Sequence, residues 1–331
     1  MKIIITGGAG FLGSKLADEL LKTRFLTSSN GSKESIEEIL LIDRNKTSYR
    51  IRNEDSRLKF FISDLSNTKE IINIIGNGKS ISIFHLASIV SADAEQNIDR
   101  AIEVNITGLL NILNACRELS EKPKFIFTSS FAVFGGEFMP NSVSDYTKIV
   151  PQNSYGMTKS INELIVNDYS RKGYIDGRGA RLPTIIIRPG KPNKAASSFA
   201  SGLFREPLAG KDHFLPVSRS TKIAIGGYKD AVEGIVKLHE VDKNFMGDDR
   251  TINFPNISTS VSEMIDALLK VKINKPLGKI IDQPDMSIQN ICEKWPAQVL
   301  FDRASGLGIT KCSQLEDIIH QYIDDYMNEN N

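Results

Sequence analysis

Short apolar runs, mostly β-branched or aromatic, alternate through the first half of the chain with longer stretches whose apolar positions recur at helical spacing. Residues 2–6, 39–43, 58–62, 81–86, 124–129 and 184–188 read as buried strands, because each is short and mostly β-branched or aromatic. Between them, residues 11–22, 68–75, 94–119 and 155–171 read as helices, with Asn67 and Ser154 placed as N-caps. Strand and helix alternating in this way specify βαβ units, hence an α/β fold with a doubly wound parallel sheet. Residues 23–38, TRFLTSSNGSKESIEE, are polar and Ser-rich and hold Asn30-Gly31, so they read as an inserted surface loop. After Pro189 the pattern changes to loops rich in Gly, Pro and Lys, then helices at 229–240, 261–271 and 315–327. The expected division is a dinucleotide-binding domain over 1–190 and a smaller substrate-covering lobe over 191–331, with the chain free to cross back to the sheet.

Composition narrows the partners. At 331 residues, the chain can bury a core that needs neither disulfide nor metal. Lys and Arg number 41 against 40 Asp and Glu, with no basic block, which argues against nucleic acid and anionic membrane as main partners. Cys116, Cys292 and Cys312 are far apart and lack C-x-x-C spacing, so they read as reduced thiols of a cytoplasmic protein. The four histidines, His85, His213, His239 and His320, form no zinc pattern. Strand-like residues begin at Lys2 and no apolar run reaches the roughly 18 residues of a membrane span, so neither a leader nor a membrane anchor is expected.

The segment TGGAGFLG, Thr6–Gly13, lies where the first strand ends and the first helix begins. Gly7, Gly10 and Gly13 fit the spacing of a phosphate-binding turn. Such a turn must be tight, must let backbone approach a pyrophosphate without Cβ atoms, and must offer the free N–H groups of a helix N-terminus. An acidic residue closing the second strand normally follows about 20 residues later and accepts bonds from the adenosine ribose. Asp43 stands 30 residues after Gly13, the excess matching the insertion at 23–38. Its carboxylate would repel a 2′-phosphate, favouring NAD over NADP, although Arg44 beside it could accept that phosphate.

Ser154-Tyr155-Gly156-Met157-Thr158-Lys159 carries the chemistry. On a helix, Tyr155 and Lys159 are i and i+4 and share a face, so the ammonium lies near the phenol. A free phenol titrates near pKa ~10; a neighbouring cation, with the charge of an oxidised nicotinamide, lowers it toward the range of a general base. Ser130, closing KFIFTSS, brings a hydroxyl to the C-terminal edge of the sheet, where open α/β sheets bind ligands.

Together TGGAGFLG, the Asp64-Leu65 pair, HLAS at 85–88, Asn105, TSSFAVFG and YGMTK resemble the extended short-chain dehydrogenase/reductase family over about the first 190 residues. The resemblance implies a Rossmann fold, a bound dinucleotide, and Ser130, Tyr155 and Lys159 as catalytic residues. It further implies that Gly7, Gly10, Phe11, Leu12, Gly13, Asp43, Asp64, Leu65, Ala87, Asn105, Tyr155 and Lys159 hold the cofactor, and that the protein is a homodimer. Two departures argue against a nucleotide-sugar substrate: Arg188-Pro189-Gly190-Lys191-Pro192-Asn193 where that branch has N-x-Y-G-P, and Val133-Phe134-Gly135 where it has VYG.

Residues 181–210, the insertion before Asp43, YGMTKSINELIVNDYSRKG and RASGLGI are similar to one group within the family. That likeness implies oxidation of the 2-hydroxyl of a four-carbon sugar acid, D-erythronate, to 2-keto-D-erythronate. An anionic substrate needs a cationic clamp, since an unpaired carboxylate is costly to desolvate. Lys191, Lys194, Arg205 and Arg219 are candidates in the second lobe, and Ser130, Tyr155, Lys191, Asn193 and Arg219 the expected substrate contacts. Two alternatives stand beside this reading. One is a nucleotide-sugar epimerase or dehydratase, which would retain its NAD through the cycle; the other is a non-catalytic dinucleotide-sensing protein.

Overall fold

Seven strands, all parallel, make the central sheet: β1 (Lys2–Thr6), β2 (Glu38–Asp43), β3 (Leu58–Ile62), β4 (Ile81–His85), β5 (Lys124–Ser130), β6 (Asp176–Leu182) and β7 (Thr251–Asn253). The computed structural model describes residues 1–45, 55–76, 80–192, 195–273 and 275–327. The spatial order is β3-β2-β1-β4-β5-β6-β7, a Rossmann arrangement whose order reverses between β1 and β4. Register aligns Thr6 with both Ile42 and His85, and Ser130 with Leu182, so the C-terminal ends of these strands share one edge. Apolar residues of β1, β2, β4 and β5 fill cores on both faces of the sheet, which is why these strands read as unbroken apolar runs.

The sixth sheet strand differs from the expectation. The apolar run at 184–188 does not enter the central sheet; Thr184–Ile186 pairs instead with Lys222–Gly227 in a separate three-stranded sheet. β6 is the more polar segment just before it, DGRGARL, buried throughout. Its charges are neutralised inside the protein: Arg178 pairs with Asp176 at 2.9 Å and donates to the carbonyls of Leu238 and His239, at the C-terminal end of the helix Tyr228–Glu240. Charged residues can occupy a central strand only when such partners exist.

Residues 23–38 also differ from a surface loop. Phe25–Thr27 and Lys33–Ser35 form an antiparallel hairpin turning at Gly31, and Leu26 and Ile36 are buried in the core. Helix 94–119 is broken into Ser91–Gln96, Ile98–Ala101, a π-helical turn Ile102–Thr107 and Gly108–Arg117. Beyond residue 190 the chain builds a second core around Phe199, Leu203, Met264 and Ile319, yet Tyr228–Glu240 and β7 return to the central sheet. No helix among the described residues is long and apolar enough to cross a membrane.

Candidate functional site

A large cleft of about 1280 Å³ runs along the C-terminal edge of the sheet and under the second lobe. Small-ligand pockets usually measure roughly 300–1,000 Å³, so this one has room for a dinucleotide and a second small molecule.

At one end lies the glycine turn. Gly7 has φ +70°, and a Cβ there would meet Ala87 N at 2.7 Å. Gly13 lies directly against the Gly7 carbonyl, so the helix Phe11–Lys22 starts tight against the turn. Gly10 is different. Its nearest protein neighbour for a Cβ is Gly7 O at 3.1 Å, and it lines the cleft. As N-cap of Phe11–Lys22, it leaves the first turn without a side-chain cap or an acidic residue, and the helix N-terminus faces the cleft as an anion site. This cradle fits a pyrophosphate.

Asp43, at the end of β2, accepts from Ala9 N at 3.1 Å and lines the cleft beside it. Asp64 pairs with Arg100 at 2.8 Å and with Arg44 at 3.5 Å. Burial alone would raise its pKa, but bonds from Ser66 and Arg100 outweigh that and hold it at about 2. Phe11, Leu12, Leu65 and Ala87 also line this end. Asn105 lies behind the wall. Its side chain accepts from Ile89 N at 2.8 Å and donates to Ile89 O and Thr158 Oγ1, tying the loop after β4 to the helix Ser154–Arg171.

The reacting end is set by β5 and the helix Ser154–Arg171. Ser130 closes β5, and its hydroxyl accepts from Ala132 N at 3.2 Å, capping a single 3₁₀ turn. Gly156 abuts the Ala132 carbonyl in a contact that leaves no space for a Cβ, bringing Tyr155 against Ser130. The helix N-cap is Asn153, accepting from Gly156 N at 2.7 Å, and Ser154 is the first helical residue rather than the cap. Burial pushes the Tyr155 phenol up to about 12, only partly offset by its hydrogen bond with Ser130. The Lys159 ammonium lies 5.6 Å from the Tyr155 ring centroid and donates to Thr128 O at 2.8 Å. Burial lowers its pKa to about 8 against the opposing pull of Glu163. Desolvation of the phenolate therefore outweighs its hydrogen bond with Ser130, and the lowering expected from Lys159 is not seen. The arrangement offers a hydroxyl, a phenol and an ammonium converging on one end of the cleft, the set needed to move a proton off a carbinol.

The second-lobe candidates separate. Arg205 is buried and lines the cleft, paired with Glu206 and donating to Arg188 O at 3.0 Å. Lys191 is exposed and does not line the cleft. Arg219 lies on a different, smaller cavity, held by Asp282 at 3.0 Å. Asn193 and Lys194 lie outside the described residues. Arg188, Thr184 and Ile185 line the cleft and were not anticipated, since their apolar run was assigned to the central sheet. Also unanticipated are Glu163 and Arg181, a buried pair at 2.7 Å joining the helix Ser154–Arg171 to β6. Their signal was present: Glu163 repeats the Tyr155-to-Lys159 step one turn on, and Arg181 interrupts a buried segment. Phe134 is buried, with the Arg181 guanidinium 5.2 Å from its ring centroid in a cation–π contact.

Residues 3–252 match the family model described as "NAD dependent epimerase/dehydratase family". The chain belongs to that family. Membership implies a nicotinamide dinucleotide cofactor, whose pyrophosphate the glycine cradle would fit. Among relatives, D-erythronate dehydrogenase of Cupriavidus necator is 38% identical over 98% of this chain and 98% of that protein. The Haemophilus influenzae protein of the same name is 40% identical over 98% of this chain and 99% of that one. A solved structure, the nucleoside-diphosphate-sugar epimerase from Agrobacterium tumefaciens, is 37% identical, covers 99% of this chain and 95% of that chain, and superposes with a TM-score of 0.89.

Proposed function

We propose that the chain is an NAD-dependent dehydrogenase that oxidises the 2-hydroxyl of D-erythronate to 2-keto-D-erythronate. The observation that carries this reading is the 40% identity to the H. influenzae protein over 98% of the chain. A match of that extent runs through the second lobe as well, which lines the substrate side of the cleft.

In this reading Tyr155 takes the hydroxyl proton, Ser130 holds the substrate oxygen by donating to it, and Lys159 donates to the nicotinamide ribose while lowering the phenol's pKa. Bound NAD supplies the acceptor for the hydride from C2. Gly7, Gly10 and Gly13 hold the pyrophosphate, with Phe11, Leu12, Asp64, Leu65 and Ala87 along the dinucleotide. Asn105 acts through the Ile89 loop. Asp43 accepts from the adenosine ribose hydroxyls and repels a 2′-phosphate. Arg44 lies 3.5 Å from Asp64, which draws its charge away from such a phosphate and favours NAD. Arg188 and Arg205 supply positive potential to the substrate side.

The protein works as a cytoplasmic homodimer in this proposal. Ile98 and Ile102, 48% and 39% exposed, and Leu164, 66% exposed, lie on the helical segments flanking the catalytic residues, an apolar face that a second copy would cover.

Similarity to the A. tumefaciens epimerase favours a second reading, epimerisation of a nucleotide sugar with NAD retained. Incubating the protein with NAD and a panel of four-carbon sugar acids, and following NADH absorbance, separates the two. Net NADH with D-erythronate supports the dehydrogenase; none with any sugar acid, together with interconversion of nucleotide sugars, overturns it.

A further inference from the structure

The buried Ser129–Glu163–Arg181 cluster has no part in the chemistry assigned to Ser130, Tyr155 and Lys159. Lys159 is 2% exposed, and its hydrogen bond to Thr128 O puts a neutral carbonyl beside a buried charge. A buried ammonium without a counter-charge tends to lose its proton. The groups that face it are identifiable element by element. From its own helix come Tyr155 and Glu163; from β4 comes His85, kept neutral because burial, then Lys159 itself, lowers its pKa to about 3; from β6 comes Arg181, bonded to Glu163. Glu163 is the one anion among these. It sits one helical turn beyond Lys159, on the same face.

The Glu163 carboxylate is held from two sides. Arg181 donates to it through Nε at 2.9 Å and Nη2 at 2.7 Å, and Ser129 Oγ donates at 2.5 Å. Arg181 is fixed in turn by the Asp145 carbonyl at 3.3 Å, Asn253 Oδ1 at 3.5 Å and the ring of Phe134. A carboxylate clamped in this way can stabilise the ammonium through space but cannot swing over to occupy its N–H groups.

We infer that Glu163, anchored by Arg181 and Ser129, is a positioning residue that keeps Lys159 charged while leaving its donors for the cofactor. The inference rests on the role given to Lys159 in the proposed function.

Glu163 and Arg181 act on Lys159 with opposite sign, and that supplies the test. NADH binding, read by fluorescence across pH, should weaken on the alkaline side as Lys159 loses its proton, and this readout needs no substrate. Glu163→Gln should move that limb acid-ward by about one pH unit. Arg181→Met frees Glu163 to close on Lys159, so it should move the limb alkaline-ward. Damage that is merely structural would lower the thermal midpoint without moving the limbs apart. Limbs that superimpose on the parent's, or that shift in the same direction, would overturn the inference. Should either single variant fail to fold, the double variant removes both charges and leaves neither buried alone. A modest acid-ward shift is then expected, because the nearer charge dominates, and no shift overturns the idea. If these limbs move as expected while no sugar acid is turned over, the proposed substrate falls and the role of Glu163 stands.

Discussion

Replacing Gly10 or Gly13 with alanine adds the same methyl group to the same turn, and the two outcomes should differ sharply. At Gly13 the new Cβ would lie 2.8 Å from Gly8 Cα and 2.9 Å from the Gly7 carbonyl carbon, with the carbonyl oxygen closer still. Those are backbone atoms of a turn already constrained by φ +70° at Gly7, so they cannot rotate aside. Overpacking of this kind costs about 1–3 kcal/mol, more than the roughly 1 kcal/mol gained from alanine's better helix propensity. At Gly10 the backbone is extended, with φ −73° and ψ 171°, which alanine accepts, and the nearest neighbour is Gly7 O at 3.1 Å. The methyl there would instead enter the cleft, where the pyrophosphate is expected. Gly10→Ala should therefore lose less stability than Gly13→Ala, because the Gly7 oxygen has to give by only a few tenths of an ångström, yet lose tenfold or more in NADH affinity. Gly13→Ala should lose both stability and affinity. Differential scanning fluorimetry with NADH fluorescence titration measures both quantities on one preparation. Parent-like NADH affinity in Gly10→Ala would refute the assignment of the turn to the pyrophosphate, and a parent-like midpoint in Gly13→Ala would refute the close-approach argument.

Tyr155→Phe keeps the ring and should lower kcat by about 10²–10⁴-fold with NAD binding nearly unchanged, whereas Lys159→Met should impair both; near-parent turnover by Tyr155→Phe would mean another base. NAD should support turnover far better than NADP, and Asp43→Ala should narrow that gap; equal use of both cofactors by the parent would count against Asp43. Asp64, Glu240 and Asp325 are each held at about 2, burial being outweighed by hydrogen bonds from Ser66 and Arg100, from His239 and Thr27, and from Tyr228, Lys15 and Lys229. Their folded pKa values lie below the unfolded values of roughly 4, so their stabilisation is present above that pH and is lost as pH falls toward 2; a thermal midpoint constant from pH 6 to pH 3 would contradict this. Light scattering at micromolar concentration should give a dimer mass, and Leu164→Glu should shift it to a monomer; a parent monomer would remove the role given to that face.

Much of the sheet could be read from residue type. β1, β2, β4 and β5 are apolar on both faces because helices cover both, and that demand is local enough to appear as unbroken Ile, Leu and Phe runs. The glycine spacing, the Tyr155–Lys159 step and the strand-end position of Ser130 are likewise set by covalent geometry and helical periodicity, which hold wherever the segment packs.

What lay beyond the sequence were the features that depend on partners distant along the chain. Asp176, Arg178 and Arg181 kept β6 from reading as a strand, because nothing local reveals that Glu163, Arg250 and the carbonyls at 238 and 239 would meet their charges. The apolar run beginning at Thr184 could serve either sheet equally well by composition; pairing with Lys222–Gly227 assigned it to the second. Arg205 and Arg219 are indistinguishable as residue types, yet one lies against Glu206 in the cleft and the other against Asp282 on another surface. Hydrophobic burial and backbone periodicity act over a few neighbours and leave their mark in the sequence. The pairing of buried charges and the direction of a loop depend on which surfaces meet, and only the folded chain decides that.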